Sequence, residues 1–441
     1  MTQIRVFVRL LTGFVLAWVL AFAPIAASAQ TRPAPQEVIQ GWYALILELV
    51  RHTPTYSPPV ASRSFAYLGV TSYEALIGGD NTLVPLAGQV NGLTAAPARG
   101  TDAYDDAIVL DAALAFASAQ FFANTGPTGQ HALARMTEVM GAKVSDGVDP
   151  MIVERSIAHG KAIGQHILDW SATDGGAVIE NLGFPYSYTL TEGPAHWVPT
   201  SKIALQQVPL LPKWGANRPF AMPNGAACPL PPPPAYSEDP SSAFYAEAME
   251  VVTTTKSLTD EQKLIARFWS DDPMLSPTPP GHWISIAMEI LAREDADAPR
   301  NAEVLAKLGM AVADGFIGCW NAKYEHDLLR PVTYIKRVID KTWEPMLITP
   351  PFPEYPSGHS SQSGAAATVL SDLFGEDYAF DDATHQADGL PVRHFTGFWP
   401  AAQEAAQSRL YGGIHFRSAI DLGLEQGRCI GTHINNIRTR E

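Results

Sequence analysis

Three cysteines in 441 residues are too few for a disulfide scaffold, and the odd number allows at most one bridge within the chain. Cys228, Cys319 and Cys429 form no CxxC pair and no Cys/His cluster of the kind that holds zinc. Two arrangements remain for them, buried thiols or one bridge to Cys228. A glycine-rich nucleotide loop, a nucleophilic serine elbow, a basic stripe and an internal repeat are also missing. Beyond the N-terminus no run is long and apolar enough to cross a bilayer. Basic residues are scarce, 30 against 45 acidic ones, for a net charge of −15. That balance argues against nucleic acid and anionic membrane surfaces as partners.

What is present begins with an export signal over residues 1–29. Arg5 and Arg9 make a short basic region, an apolar run follows from Leu10 to about Ile25, and Ala27-Ser28-Ala29 offers a small-residue cleavage site before Gln30. The chain is therefore expected in the periplasm or secreted, with no membrane span after signal removal. Loss of Arg5 and Arg9 takes the 30 basic residues down to 28 and the net charge to −17. Against that background any local concentration of cations stands out.

With 46% hydrophobic residues the chain can bury a large core, and its length exceeds the usual single domain. Apolar residues recur at three- and four-residue intervals, and no strand alternation is sustained. The spacing predicts helices over about 35–52, 58–77, 102–124, 127–146 and 150–173. In the second half it predicts 240–255, 259–270, 281–294, 299–328, 357–375 and 400–437. Between the halves, 176–240 reads as irregular, with semi-rigid polyproline at Cys228–Pro234. The organisation expected is thus a first helical segment over 30–175, a Pro-rich linker over 176–240 and a second helical segment over 241–441.

Three stretches of the second segment carry the chemistry. Lys323 and Arg330 are seven apart, two turns along one helical face, and Pro331 ends or kinks that helix. Phe316, Ile317, Cys319 and Trp320 make the helix largely buried, and a buried cation needs an anionic partner. Asp327, on the same stripe, is one candidate. Pro356-Ser357-Gly358-His359 follows the proline-rich approach Thr349–Tyr355. Ser357 reads as an N-cap whose helix start offers free N–H groups to an oxyanion, and Gly358 permits close approach. A capped helix with a surface histidine explains that stretch taken alone. Ser408-Arg409 and His415 lie on the last long helix, where Gly412-Gly413 supplies a break that lets both point inward. Of the other histidines, His282 reads as a packed structural residue and His326 as the partner of Asp327.

Together the three stretches resemble the shared signature of vanadium-dependent haloperoxidases and of the acid phosphatases and type 2 phosphatidic acid phosphatases related to them. Looser similarity reaches back through Leu210–Gly215 and Phe268–Asp271. The resemblance implies an all-α fold of two helical bundles, with the oxyanion site in 241–441. It also implies that His415 bonds vanadium, that Lys323, Arg330, Ser357, Gly358 and Arg409 hold the vanadate oxygens, and that His359 works opposite. Trp320 and Phe352 match positions that line the halide site of chloroperoxidases in the family. One departure is clear: the family commonly has an aspartate four residues after the histidine, whereas position 419 is alanine. Asp421, Asp271 and Asp272 are the candidates to replace it.

On that reading the protein is an enzyme that uses vanadate, hydrogen peroxide and halide to halogenate an organic acceptor. The same residues also fit a phosphatase in which phosphate replaces vanadate, His415 becomes the nucleophile and His359 the acid. A third reading is a non-catalytic oxyanion-binding protein on the same scaffold. The length of the chain and the placement of Trp320 and Phe352 favour the haloperoxidase.

Overall fold

Most helices of this chain begin where the sequence supplies a start signal. In the computed structural model, which describes residues 32–177, 188–200, 208–272 and 274–441, proline occupies the first turn of α1 (Pro35–Arg51), α2 (Pro58–Leu76) and α5 (Pro150–Ser171). Its missing N–H costs nothing at that position. Asp105 caps α3 (Asp106–Phe121) by accepting from the Ile108 N–H, and α4 (Gly126–Ser145) follows after a short turn. In the second half, Ser242 caps α6 (Ala243–Lys256), and Thr259 and Gln262 close a reciprocal box on α7 (Asp260–Phe268). Next come α8 (Thr278–Arg293), α9 (Ala298–His326), α10 (Pro331–Val338) and α11 (Gly358–Phe374), then α12 (Phe398–Tyr411) and α13 (Arg417–Asn435).

Among the described residues the fold is all-α apart from one antiparallel hairpin, β1 (Phe380–Asp382) with β2 (Arg393–Phe395). Neither that hairpin nor α10 was predicted. The helix expected over 400–437 is two helices, because Gly412 closes α12 and Gly413 turns through a left-handed φ of 75°. Within 176–240 the described residues include a 3-10 turn at Trp214–Ala216, and Gly176 and Ala177 are helical. The leader expected over 1–29 lies outside the described residues. Among those residues no helix is long and apolar enough to cross a membrane.

The rod at the centre is α9. Every residue from Asn301 to Trp320 is buried, so it is covered on all faces. On one side α2 approaches backbone to backbone, since a Cβ at Gly69 would stand 2.6 Å from the Leu305 carbonyl oxygen. On another side lies α11, itself pressed against α13, where a Cβ at Gly427 would stand 2.3 Å from the Ser361 carbonyl oxygen. Small residues at these crossings set the depth of packing. A disulfide between Cys228 and Cys429 fastens the polyproline stretch to α13, which is the second of the two arrangements expected, and Cys319 remains a buried thiol.

The last turn of α9 is where the chemistry begins. Asp327 adopts a left-handed φ of 48° and stops the helix. Arg330 is therefore not on the helical face of Lys323 but is the N-cap residue of α10. Asp327 itself faces His196, 3.3 Å away, and is not the partner of either cation. His326 packs edge-on against the Tyr355 ring instead of pairing with Asp327.

Candidate active site

Lys323, Arg330 and Arg409 all come near His415, each by a different route. The Lys323 ammonium is wholly buried and donates to the carbonyls of Pro353, Glu354 and Pro356. Burial and then the charge of Arg330 push its pKa down to about 7, while three carbonyl acceptors favour the protonated form. Arg330 donates from Nε to the Phe352 carbonyl at 2.9 Å and from Nη1 to the Ile414 carbonyl at 2.9 Å. Arg409 donates from Nη1 to the Trp269 carbonyl at 2.6 Å. Burial lowers both guanidiniums to about 10, so both stay charged at neutral pH. Two donors are left over. Arg330 Nη2 and Arg409 Nε are buried and have no protein partner.

His415 is fixed in one tautomer by its neighbours. Arginine can only donate, so the Arg330 Nη1 contact at 3.2 Å requires a lone pair on His415 Nε2. The proton then sits on Nδ1 and is donated to Glu354 Oε1 at 2.9 Å. The same oxygen accepts from the Phe416 N–H at 2.8 Å. Burial, with Arg330, Lys323 and Arg409 nearby, holds the imidazole pKa well below its usual range. The carboxylate expected at Asp421, Asp271 or Asp272 is thus Glu354, contributed by the proline-rich approach. Asp421 lies beside Arg417 at 3.7 Å, Asp271 faces His359, and Asp272 is felt by Arg409.

Ser357 caps α11, its hydroxyl accepting from the Ser360 N–H at 3.3 Å. The first-turn N–H groups of Gly358 and His359 are among those a helix leaves without an internal acceptor, and they carry the positive end of its dipole. Burial, then the charge of Arg409, pushes the His359 pKa well down. Its Nε2 is buried without a protein partner, and the nearest Asp271 oxygen is 3.9 Å away.

Behind His359 lies a cluster that sequence reasoning missed. His282 is wholly buried. Its Nδ1 meets Asp271 at 3.0 Å and its Nε2 meets Asp382 at 2.9 Å, and its ring stacks on Trp269 with centroids 4.4 Å apart. His385 approaches the same Asp271 at 3.4 Å. Asp271, His282 and His385 are close enough to hold a cation, but both nitrogens of His282 are already engaged by carboxylates. The cluster fixes Trp269, whose carbonyl holds Arg409. The adjacency of Asp271 and Asp272 after Trp269 was visible in the sequence. Asp382 and His385 lie in and beside the short hairpin, which left no periodic signal.

These groups floor a cavity of about 540 Å³. Gly358, His359, Arg409, His415, Trp320 and Phe352 all line it, with the two aromatic rings 4.9 Å apart. Lys323, Arg330 and Ser357 are not on its wall and support it from the protein side. The site thus combines buried, unpartnered donors on Arg330 and Arg409 with an unpartnered His359 Nε2 and an unprotonated His415 Nε2. This donor set fits a tetrahedral or trigonal-bipyramidal oxyanion, vanadate or phosphate, better than it fits a bare cation.

Residues 303–440 match the VCPO second helical-bundle domain. No curated protein is similar. The chain is similar to a bacterial vanadium-dependent iodoperoxidase of known structure, at 37% identity and a TM-score of 0.83, over 92% of this chain and 97% of that one. A bacterial vanadium-dependent chloroperoxidase in its holo form is 16% identical, with a TM-score of 0.70, over 92% of this chain and 96% of that one. Its apo form gives 0.67 over 88% and 94% at 16% identity, and this second likeness speaks for the fold alone. Likeness of that extent to the iodoperoxidase, on a cradle of this composition, makes the chain a member of the vanadium-dependent haloperoxidase family.

Proposed function

We propose that the protein is a vanadate-dependent haloperoxidase that oxidises halide with hydrogen peroxide and halogenates an organic acceptor. The observation that carries this reading is a His415 Nε2 kept unprotonated by Arg330 and by the Glu354 acceptor behind it, in a buried site where Arg330 Nη2 and Arg409 Nε have no protein partner. His415 would ligate vanadium, and Arg330, Arg409 and the start of α11 would hold its oxygens, with Lys323 and Ser357 supporting them. Bound vanadate supplies a Lewis acid that polarises peroxide toward attack by halide without changing oxidation state. Burial and the charge of Arg409 keep His359 neutral, so its ring, which lines the cavity, can accept a proton from incoming peroxide. The donors on Arg330 and Arg409 are fixed before any anion arrives, so little reorganisation is needed as charge shifts. Trp320 and Phe352 flank the floor and shield it from water.

Peroxide-dependent halogenation of monochlorodimedone, with iodide, bromide and chloride in turn, tests the reading before and after orthovanadate loading, beside His415→Ala. Vanadate-dependent turnover that the variant lacks supports it. Inert loaded protein that hydrolyses p-nitrophenyl phosphate would instead assign phosphoryl transfer through His415, and inertness in both assays a binding protein. We also place the mature protein outside the cytoplasm, on the strength of the leader and the Cys228–Cys429 bridge. N-terminal sequencing of exported protein that begins elsewhere than Gln30 counts against that assignment.

A further inference from the structure

Beyond the cationic floor the cavity lining is mostly apolar, and its other polar side chains are Ser57, Ser270, Asp271 and Asp272, none of them a cation. Pro54, Pro58, Leu210, Pro279, Pro350 and Pro351 line it between floor and mouth. Met274, Leu275 and Ile348 stand at the mouth, exposed by 50%, 64% and 64%. Only six large hydrophobic side chains are exposed among the described residues, and these are three of them. Soluble proteins scatter such residues singly, and their concentration at the opening of one cavity marks a contact surface. Its 540 Å³ is within the range of small-molecule sites, which pair apolar walls with a few convergent polar groups. The one guanidinium in the lining, Arg409, belongs to the floor and is nearly buried. The upper cavity therefore offers an anionic molecule no counter-charge.

We propose that the upper cavity is an acceptor subsite, which binds a neutral, apolar, electron-rich molecule such as an alkylated phenol and presents one of its carbons to the oxidised halogen formed at the floor. This inference rests on the haloperoxidase reading. Halide loses two electrons to hydrogen peroxide, which is reduced to water, and the halogen so formed replaces a ring hydrogen. The balance is ArH + X⁻ + H₂O₂ + H⁺ → ArX + 2 H₂O, with the ring proton leaving to solvent. Halogen transferred inside the cavity meets one orientation of the acceptor, whereas free hypohalite meets all of them. The subsite thus makes the reaction position-selective.

Thymol is the probe. Calorimetric titration of thymol into the full chain without peroxide measures binding alone, for the wild type and for Leu275→Asp and Ile348→Asp. Both side chains are already exposed, so the variants are expected to fold, and thermal melts check that. Saturable binding is expected, weakened tenfold or more by either variant. The ratio of bromothymol isomers from vanadate-loaded protein is expected to differ from that given by hypobromite at the same pH, and to drift toward it in the variants. Absence of saturable binding, binding indifferent to both substitutions, or an isomer ratio equal to that of hypobromite overturns the proposal. If the loaded protein halogenates nothing with iodide, bromide or chloride, the haloperoxidase reading has failed, and the titration alone decides whether the subsite exists.

Discussion

Glu354 and His415 are joined at 2.9 Å across 61 residues of sequence, and the acid settles which face of the imidazole is free. A proton committed to Nδ1 leaves Nε2 as the basic atom of this ring. Replacing the acid by an amide weakens the Nε2 lone pair. Glu354→Gln keeps the shape and an acceptor oxygen, and is expected to lower orthovanadate affinity by about 10- to 100-fold, the usual cost of losing a carboxylate behind a ligating histidine. Calorimetric titration checks it, and an affinity within twofold of the wild type would remove Glu354 from the site.

Arg409 works as a fork. Nη1 is held by the Trp269 carbonyl, and Nε is buried with no protein partner. Arg409→Lys keeps the charge but cannot serve both acceptors. The lost charge-assisted bond is about 1.5–3 kcal/mol, so orthovanadate binding measured by equilibrium dialysis should weaken at least tenfold.

His282 makes stability fall with rising pH. Burial works against a charged ring, but Asp271 and Asp382 outweigh it and carry the pKa up to about 10. The unfolded chain returns it to about 6.5. Between those values the folded state binds more protons than the unfolded one. The stabilisation is therefore complete below about pH 6.5 and is lost as pH climbs through 10, by at most about 1.4 kcal/mol per pH unit. Urea melts at pH 6 and pH 9.5 should show the wild type losing more stability than His282→Gln. Equal losses would mean that the ring is neutral.

Gly427 allows α13 to lie directly on α11. Its missing Cβ would stand 2.3 Å from the Ser361 carbonyl oxygen and 2.7 Å from the Ala365 nitrogen. Gly427→Ala must push two backbones apart, and is expected to cost about 1–3 kcal/mol, read as a lower urea midpoint. Because α11 presents His359 and the N–H groups of the cradle, orthovanadate affinity should fall with it.

The parts legible in the sequence were those with local signals. Periodicity placed most of the helices, caps such as Ser357 and Thr259 marked their starts, and Gly412-Gly413 marked the break before His415. The resemblance of the three stretches to a known signature led to the right family. What stayed hidden was carried by backbone without a period. Glu354 sits in an extended, proline-rich segment where nothing distinguishes one carboxylate's direction from another's. A left-handed turn at Asp327 moved Arg330 off the Lys323 stripe, a change that helical spacing cannot foresee. His282, Asp382 and His385 meet only through a hairpin of three-residue strands, too short to show alternation.

A 29-residue rod that is covered by helices from both halves of the chain and bears Lys323 in its last turn cannot be divided. The stretch before residue 176 holds none of the reactive side chains, and an engineer seeking a smaller catalyst would be tempted to delete it. Doing so would strip α2 from α9 and expose to water a face that has Gly69, Ala66 and Phe65 as its cover. The chemically silent half is thus the mould in which the other half sets, and shortening this protein has to begin at its loops.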